Sequence, residues 1–103
     1  MPVWIEACSV EDVDDEDLIR VDHAGKSYAV YLGPDGAYYC TDGLCTHEQV
    51  HLAGGLVDGF IVECPKHNGR FDYRTGAAKG APVCVNLGIY PARAEGGRVY
   101  IEV

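Results

Sequence analysis

Four side chains that bind metals stand in two short lobes, Cys45-Thr46-His47 and Cys64-Pro65-Lys66-His67, with sixteen residues between them. Each lobe offers one thiolate and one imidazole and is too short to form a regular element between its own donors. Two loops must therefore converge on something small that takes both sulfur and nitrogen, and a metal centre is the natural candidate. Structural zinc commonly occupies a Cys2His2 set, but zinc motifs usually open with two cysteines about two to four residues apart, not with Cys-x-His.

The segment between the lobes carries turn signals at Gly54-Gly55 and Asp58-Gly59, and Phe60 to Glu63 has strand composition, so a hairpin arm should return the second lobe to the first. Upstream, Val3 to Ala7 reads as a strand. An acidic turn follows, in which Ser9 and Asp12 resemble an N-cap and its box partner. Leu18 to Asp22 and Ser27 to Leu32 read as strands around His23-Ala24-Gly25-Lys26. Gly33-Pro34-Asp35-Gly36 is a turn, because proline fixes one backbone angle and glycine accepts a positive one. Ala37 to Thr41 should deliver the chain to the first lobe. Beyond the second lobe, Arg70 to Tyr73 reads as a strand and Arg74-Thr75-Gly76 as a turn. Ile89 to Ala94 and Arg98 to Val103 read as a hairpin around Glu95-Gly96-Gly97. Short, evenly punctuated strands imply an all-β antiparallel sandwich or barrel.

The pattern C-x-H-x16-C-x2-H resembles the ligand motif of Rieske iron-sulfur proteins. The likeness extends to Gly54 to Gly59, Pro65, Phe71, Thr75-Gly76 and Gly80-Ala81-Pro82, and so covers most of residues 40 to 103. It implies a Rieske-type antiparallel β-sandwich in a single domain, 1–103, with a small cluster-binding subdomain at approximately 42–83 formed by two ligand loops. It implies one [2Fe-2S] cluster per chain, with Cys45 and Cys64 on one iron and His47 and His67 on the other. It also implies that Gly80-Ala81-Pro82 forms a third loop over the cluster, although an ordinary surface loop fits those residues equally well.

Charge counting gives the chemistry. Two ferric ions, two sulfides and two thiolates sum to zero, whereas four thiolates would leave the site two units more negative. An added electron is therefore less costly in the mixed site, and should settle on the iron whose ligands are neutral. Rieske proteins of respiratory and photosynthetic complexes add a loop-linking disulfide and hydroxyl donors to the cluster sulfurs. Here those places are taken by Val50, Lys66, Gly69 and Phe71, which implies a potential near the low end of the Rieske range, roughly −150 mV. That resembles the soluble ferredoxins of bacterial aromatic-ring-hydroxylating dioxygenases, electron carriers rather than enzymes. The implied partners are an NAD(P)H-dependent ferredoxin reductase and a terminal oxygenase. The small Rieske-like subunit of a nitrite reductase and a zinc-stabilised interaction module are the alternatives.

The 103 residues carry 8 basic and 16 acidic side chains, a net charge of −8, so nucleic acid and anionic membranes are poor partners. Basic docking patches on redox proteins suit such a carrier better. The run Glu11, Asp12, Asp14, Asp15, Glu16, Asp17 reads as a solvated turn. No apolar stretch reaches about eighteen residues and no leader pattern is present, so the chain is expected to stay in the cytoplasm; a monomer is expected. Cys8, Cys40 and Cys84 read as buried free thiols. His23 reads as a turn residue and His51 as an exposed polar residue. Tyr28, Tyr31, Tyr38, Tyr39, Tyr90 and Tyr100 read as core and rim.

Overall fold

The computed structural model describes residues 2–46, 49–66, 69–79 and 85–103. Among the described residues eleven strands form three antiparallel sheets. The first joins β1 (Trp4–Ser9), β11 (Arg98–Glu102) and β10 (Ala92–Glu95). The second orders β2 (Asp17–His23), β3 (Lys26–Leu32), β4 (Tyr38–Asp42) and β9 (Ile89–Tyr90). The third is a meander of β5 (Leu56–Asp58), β6 (Ile61–Glu63), β7 (Arg70–Asp72) and β8 (Ala77–Ala78).

The second sheet is the middle layer, and β3 shows why. Its sequence Lys-Ser-Tyr-Ala-Val-Tyr-Leu is buried continuously from Tyr28 to Tyr31, as expected of a strand covered on both faces. Alternation sends Tyr28 and Val30 to one side, where they pack with Val13, Cys40, Val99 and Ile101 between the first two sheets. Ala29 and Tyr31 go to the other side and join Leu18, Cys45, Leu52, Val62, Cys64, Phe71, Tyr73 and Leu87. The protein thus has a sandwich core and a second core, and both sequence-predicted cysteine ligands lie in the second.

Most expected elements are present with shifted ends. The acidic turn is a short 3-10 helix, Val10–Asp12, whose Ser9 cap and Asp12 side chain satisfy each other's backbone, as the sequence predicts. Its acidic residues are solvent-exposed, and Val13 beneath them plugs the sandwich core. The expected strand Ile89 to Ala94 is two strands on different sheets. Pro91 has no N–H to give to a ladder, and at that point the chain leaves β4 and crosses to β11. β5 and β8 are too short for period-two patterning to reveal. Among the described residues no helix is long and apolar enough to cross a membrane.

Candidate metal centre

The first lobe grows from the end of β4. Gly43 N donates to Ser27 O (2.9 Å) and Leu52 N to Gly43 O (2.8 Å), so the loop's two ends are fixed to β3 and to each other. An isolated bridge pairs Leu44 with His51, and inside it Cys45 N donates to Val50 O (2.9 Å) and Gln49 N to Cys45 O (3.1 Å). The tight turn leaves Gln49 at φ 57. Cys45 is 1% exposed.

The second lobe is the end of the β6–β7 hairpin. Cys64 N donates to Gly69 O at 2.6 Å, the neighbouring register pair is Glu63 with Arg70, and their side chains form an ion pair at 3.1 Å. Cys64 is also 1% exposed. The two lobes meet because the 3-10 turn Leu52–Gly54 runs directly against the hairpin. A Cβ on Gly55 would stand 1.9 Å from Glu63 O, so only glycine permits that approach.

A third segment braces the first lobe. Thr46 Oγ1 donates to Val85 O (2.8 Å), Leu87 N to Gly76 O (2.8 Å) and Ala78 N to Asn86 Oδ1 (2.9 Å). Gly88 N and Tyr90 OH both donate to the Asp42 carboxylate (3.0 and 2.6 Å), and Lys26 reaches the same group at 3.1 Å. Burial alone would raise the Asp42 pKa, but the Tyr90 hydroxyl, the Lys26 ammonium and the Gly88 amide together hold it below the usual carboxylate range.

Of the four expected ligands, Cys45 and Cys64 come together in one core, and His47 and His67 lie outside the described residues, as do Cys84 and Gly80-Ala81-Pro82. The donor set fits an iron-sulfur centre: two thiol-bearing residues, each at the foot of a ladder-closed loop, are sealed from water on the side facing the middle sheet. Such burial leaves any sulfur-bound metal a dry inner edge.

The other thiols have quiet surroundings. Burial, then Asp12 and Glu6, push the Cys8 pKa up to about 11, although Cys8 is only partly buried where full burial was expected. Burial and Asp42 push Cys40 up to about 12. Neither has the thiolate character that reactivity needs. His23 is exposed, as expected.

Two residues matter more than the sequence suggests. Tyr73, missing from the expected aromatic set, is 1% exposed, stacks on Tyr31 at 4.4 Å between ring centroids with 4° between planes, and donates to Gly59 O at 2.6 Å. Its two-residue spacing from buried Phe71 was the available signal. His51 is not an exposed polar residue: it is half-buried, and its Nδ1 accepts from Ala53 N at 2.9 Å to cap the turn after the first lobe.

The Rieske [2Fe-2S] domain model matches residues 3–91. The ferredoxin component of the naphthalene 1,2-dioxygenase system of Pseudomonas putida is 42% identical over 97% of this chain and 95% of its own length. The structure of Sphingomonas yanoikuyae B1 ferredoxin superposes with a TM-score of 0.89 at 39% identity, covering 98% of this chain and 99% of that one. One chain in the complex of reduced oxygenase and oxidised ferredoxin of carbazole 1,9a-dioxygenase gives a TM-score of 0.87 at 34% identity, covering 96% and 92%. These relatives are electron-transfer components rather than catalysts, and the expected all-β Rieske architecture is the one observed. By its matched domain and by relatives aligned along nearly its whole length, the chain belongs to the Rieske [2Fe-2S] domain family.

Proposed function

We propose that this chain is the ferredoxin of a bacterial aromatic-ring-hydroxylating dioxygenase system, taking electrons singly from an NAD(P)H-dependent reductase and passing them to a terminal oxygenase. In this reading residues 1–103 form one Rieske domain working as a cytoplasmic monomer, with approximately 42–83 as its cluster-binding part. Cys45, His47, Cys64 and His67 would hold the cluster. When bound, a Rieske [2Fe-2S] cluster supplies reversible one-electron storage at a higher potential than an all-cysteine cluster. The observation that carries the proposal is the placement of Cys45 and Cys64, each 1% exposed, at the feet of two closed loops in one core. Relatives of known role, naphthalene and biphenyl dioxygenase ferredoxins among them, support the oxygenase partner over the nitrite reductase alternative.

The chain's own residues also argue for a low potential. Hydroxyl donors to cluster sulfur raise the potential, and the hydroxyls of the second core are committed elsewhere: Tyr73 to Gly59 O, Tyr31 to Thr41, Thr46 to Val85 O. Phe71, fully buried, has none to offer. Redox titration of the reconstituted protein should give a midpoint near −150 mV, with a reduced-state EPR signal showing nitrogen ligation. Turnover of a naphthalene-type oxygenase should depend on added ferredoxin. A midpoint well above zero, or a colourless zinc-loaded protein, overturns the reading.

A further inference from the structure

The four-ligand reading assigns nothing to the third imidazole of this region. His51 lies four residues past His47, at the exit of the first lobe. Its two nitrogens point to two different parts of the molecule. Nδ1 takes the Ala53 N–H and so fixes the start of the 3-10 turn Leu52–Gly54. Accepting there places the ring proton on Nε2. That atom is sealed from solvent, as is Ser27 Oγ. Both atoms crowd Gly43: a Cβ at Gly43 would stand 2.5 Å from His51 Nε2 and 2.9 Å from Ser27 Oγ. The ring therefore fills the space between the loop's entry at Gly43 and the start of β3, and the absence of a side chain at Gly43 makes that space.

An ordinary turn cap would need only a short acceptor. The ring goes further: its inner half reaches past Gly43 to the Tyr28 backbone and so ties the loop to β3. Burial and then Arg20 lower the His51 pKa, with the Tyr28 backbone and Asp22 opposing, which keeps Nδ1 an acceptor at neutral pH.

We infer that His51 is a positioning residue for the first ligand loop, a strut whose outer nitrogen fixes the turn after the loop while its ring wedges the loop's entry and exit against β3. The inference rests on the reading of Cys45 and His47 as ligands. In the sequence both fall between Leu44 and His51, whose bridge closes the loop, so the strut acts on the segment that carries them. Residues that orient metal ligands tune the metal's potential and spectrum without touching it.

The test uses the cluster-loaded protein and its His51→Ala and His51→Asn variants. Asparagine keeps a short acceptor for Ala53 N–H and lacks the ring. Three quantities are read: amide-exchange protection at Ala53, the reduced-state EPR spectrum, and the reduced-to-oxidised ratio at a fixed applied potential. His51→Ala should deprotect Ala53, change the EPR line positions and shift the ratio at least threefold, about 28 mV at 59 mV per tenfold. His51→Asn should restore the protection while leaving part of the redox shift. A loaded His51→Ala protein with wild-type spectrum and ratio overturns the inference, leaving His51 a turn cap. If His51→Ala does not load, His51→Asn decides: a shifted ratio supports the strut, and an unshifted ratio overturns it. Wild-type protein without a reducible, nitrogen-ligated cluster fails the ligand reading itself and takes the inference with it.

Discussion

The two faces of the middle sheet have been put to different uses. On one face Tyr28 and Val30 meet Val99 and Ile101 in a core closed by the five-pair β1–β11 and seven-pair β2–β3 registers. On the other, Ala29 and Tyr31 meet a meander whose strands are two or three residues long, with Cys45 and Cys64 among its buried side chains. The first core gains from ladder length and apolar area. The second has little ladder to hold it, and its burial of two cysteines makes sense as the inner wall of a metal site. One region can fold as an ordinary sandwich, whereas the other should depend on its cluster.

The sharpest way to break this contrast is to remove the cluster. Cys64→Ser should abolish visible absorbance and strip amide protection from Ile61 to Asp72 while leaving the β1–β11 pairing protected. Extracting the iron from wild-type protein with a chelator should give the same exchange map. Loss of protection in both regions together would show that the cores are not separable.

Next in size is the reverse experiment in the sandwich core. Ile101→Ala empties a fully buried site and should cost about 3 kcal/mol in denaturant unfolding. The cluster spectrum below the transition should not change. A bleached cluster would mean that the first core supports the second more directly than the layering implies.

A smaller effect is expected where the layers are tied. Asp42→Asn weakens the acceptor shared by Lys26, Tyr90 and Gly88 and should cost about 1 kcal/mol near neutral pH, the value for a charge-assisted bond discounted for partial exposure. The folded pKa of Asp42 lies below its unfolded value of about 3.9. Its contribution is therefore complete above that pH and is lost as pH falls through the folded value. Stabilities of wild type and variant should converge in acid, and a gap that persists there would rule out the carboxylate charge as the cause.

The smallest change is Tyr73→Phe, which keeps the stack on Tyr31 and removes only the bond to Gly59 O, for about 1 kcal/mol. A redox shift in this variant would show that the Tyr73 hydroxyl also reaches the cluster.

The contrast between the faces also explains what the sequence could reveal. Strands of the sandwich were legible because Leu18 to Asp22 and Ser27 to Leu32, rich in aliphatic and aromatic residues, flank a turn at Ala24 and Gly25, whose positive φ values of 51 and 80 match the hairpin's twist. The four proposed ligands stood out by spacing and family likeness, and two of them, Cys45 and Cys64, share one core. The second core was legible only in part: β6 and β7 were anticipated, β5 and β8 were not. Two- and three-residue strands leave no period to read, and Tyr73 stands outside any strand. His51 was misread because exposure was inferred from its place near a loop tip. What buries it is a contact with Gly43 and β3, brought close only by the loop's closure. Pro91 was a visible warning that Ile89 to Ala94 could not be one central strand.

The pairing of Trp4 with Glu102 has a further consequence for how the protein is made. Contacts so distant along the chain form slowly and close last, whereas the hairpins from Leu56 to Ala78 are local. A nascent chain would therefore bring Cys45 and Cys64 near each other before the sandwich shuts, leaving an interval in which an arriving cluster can set the loops that depend on it.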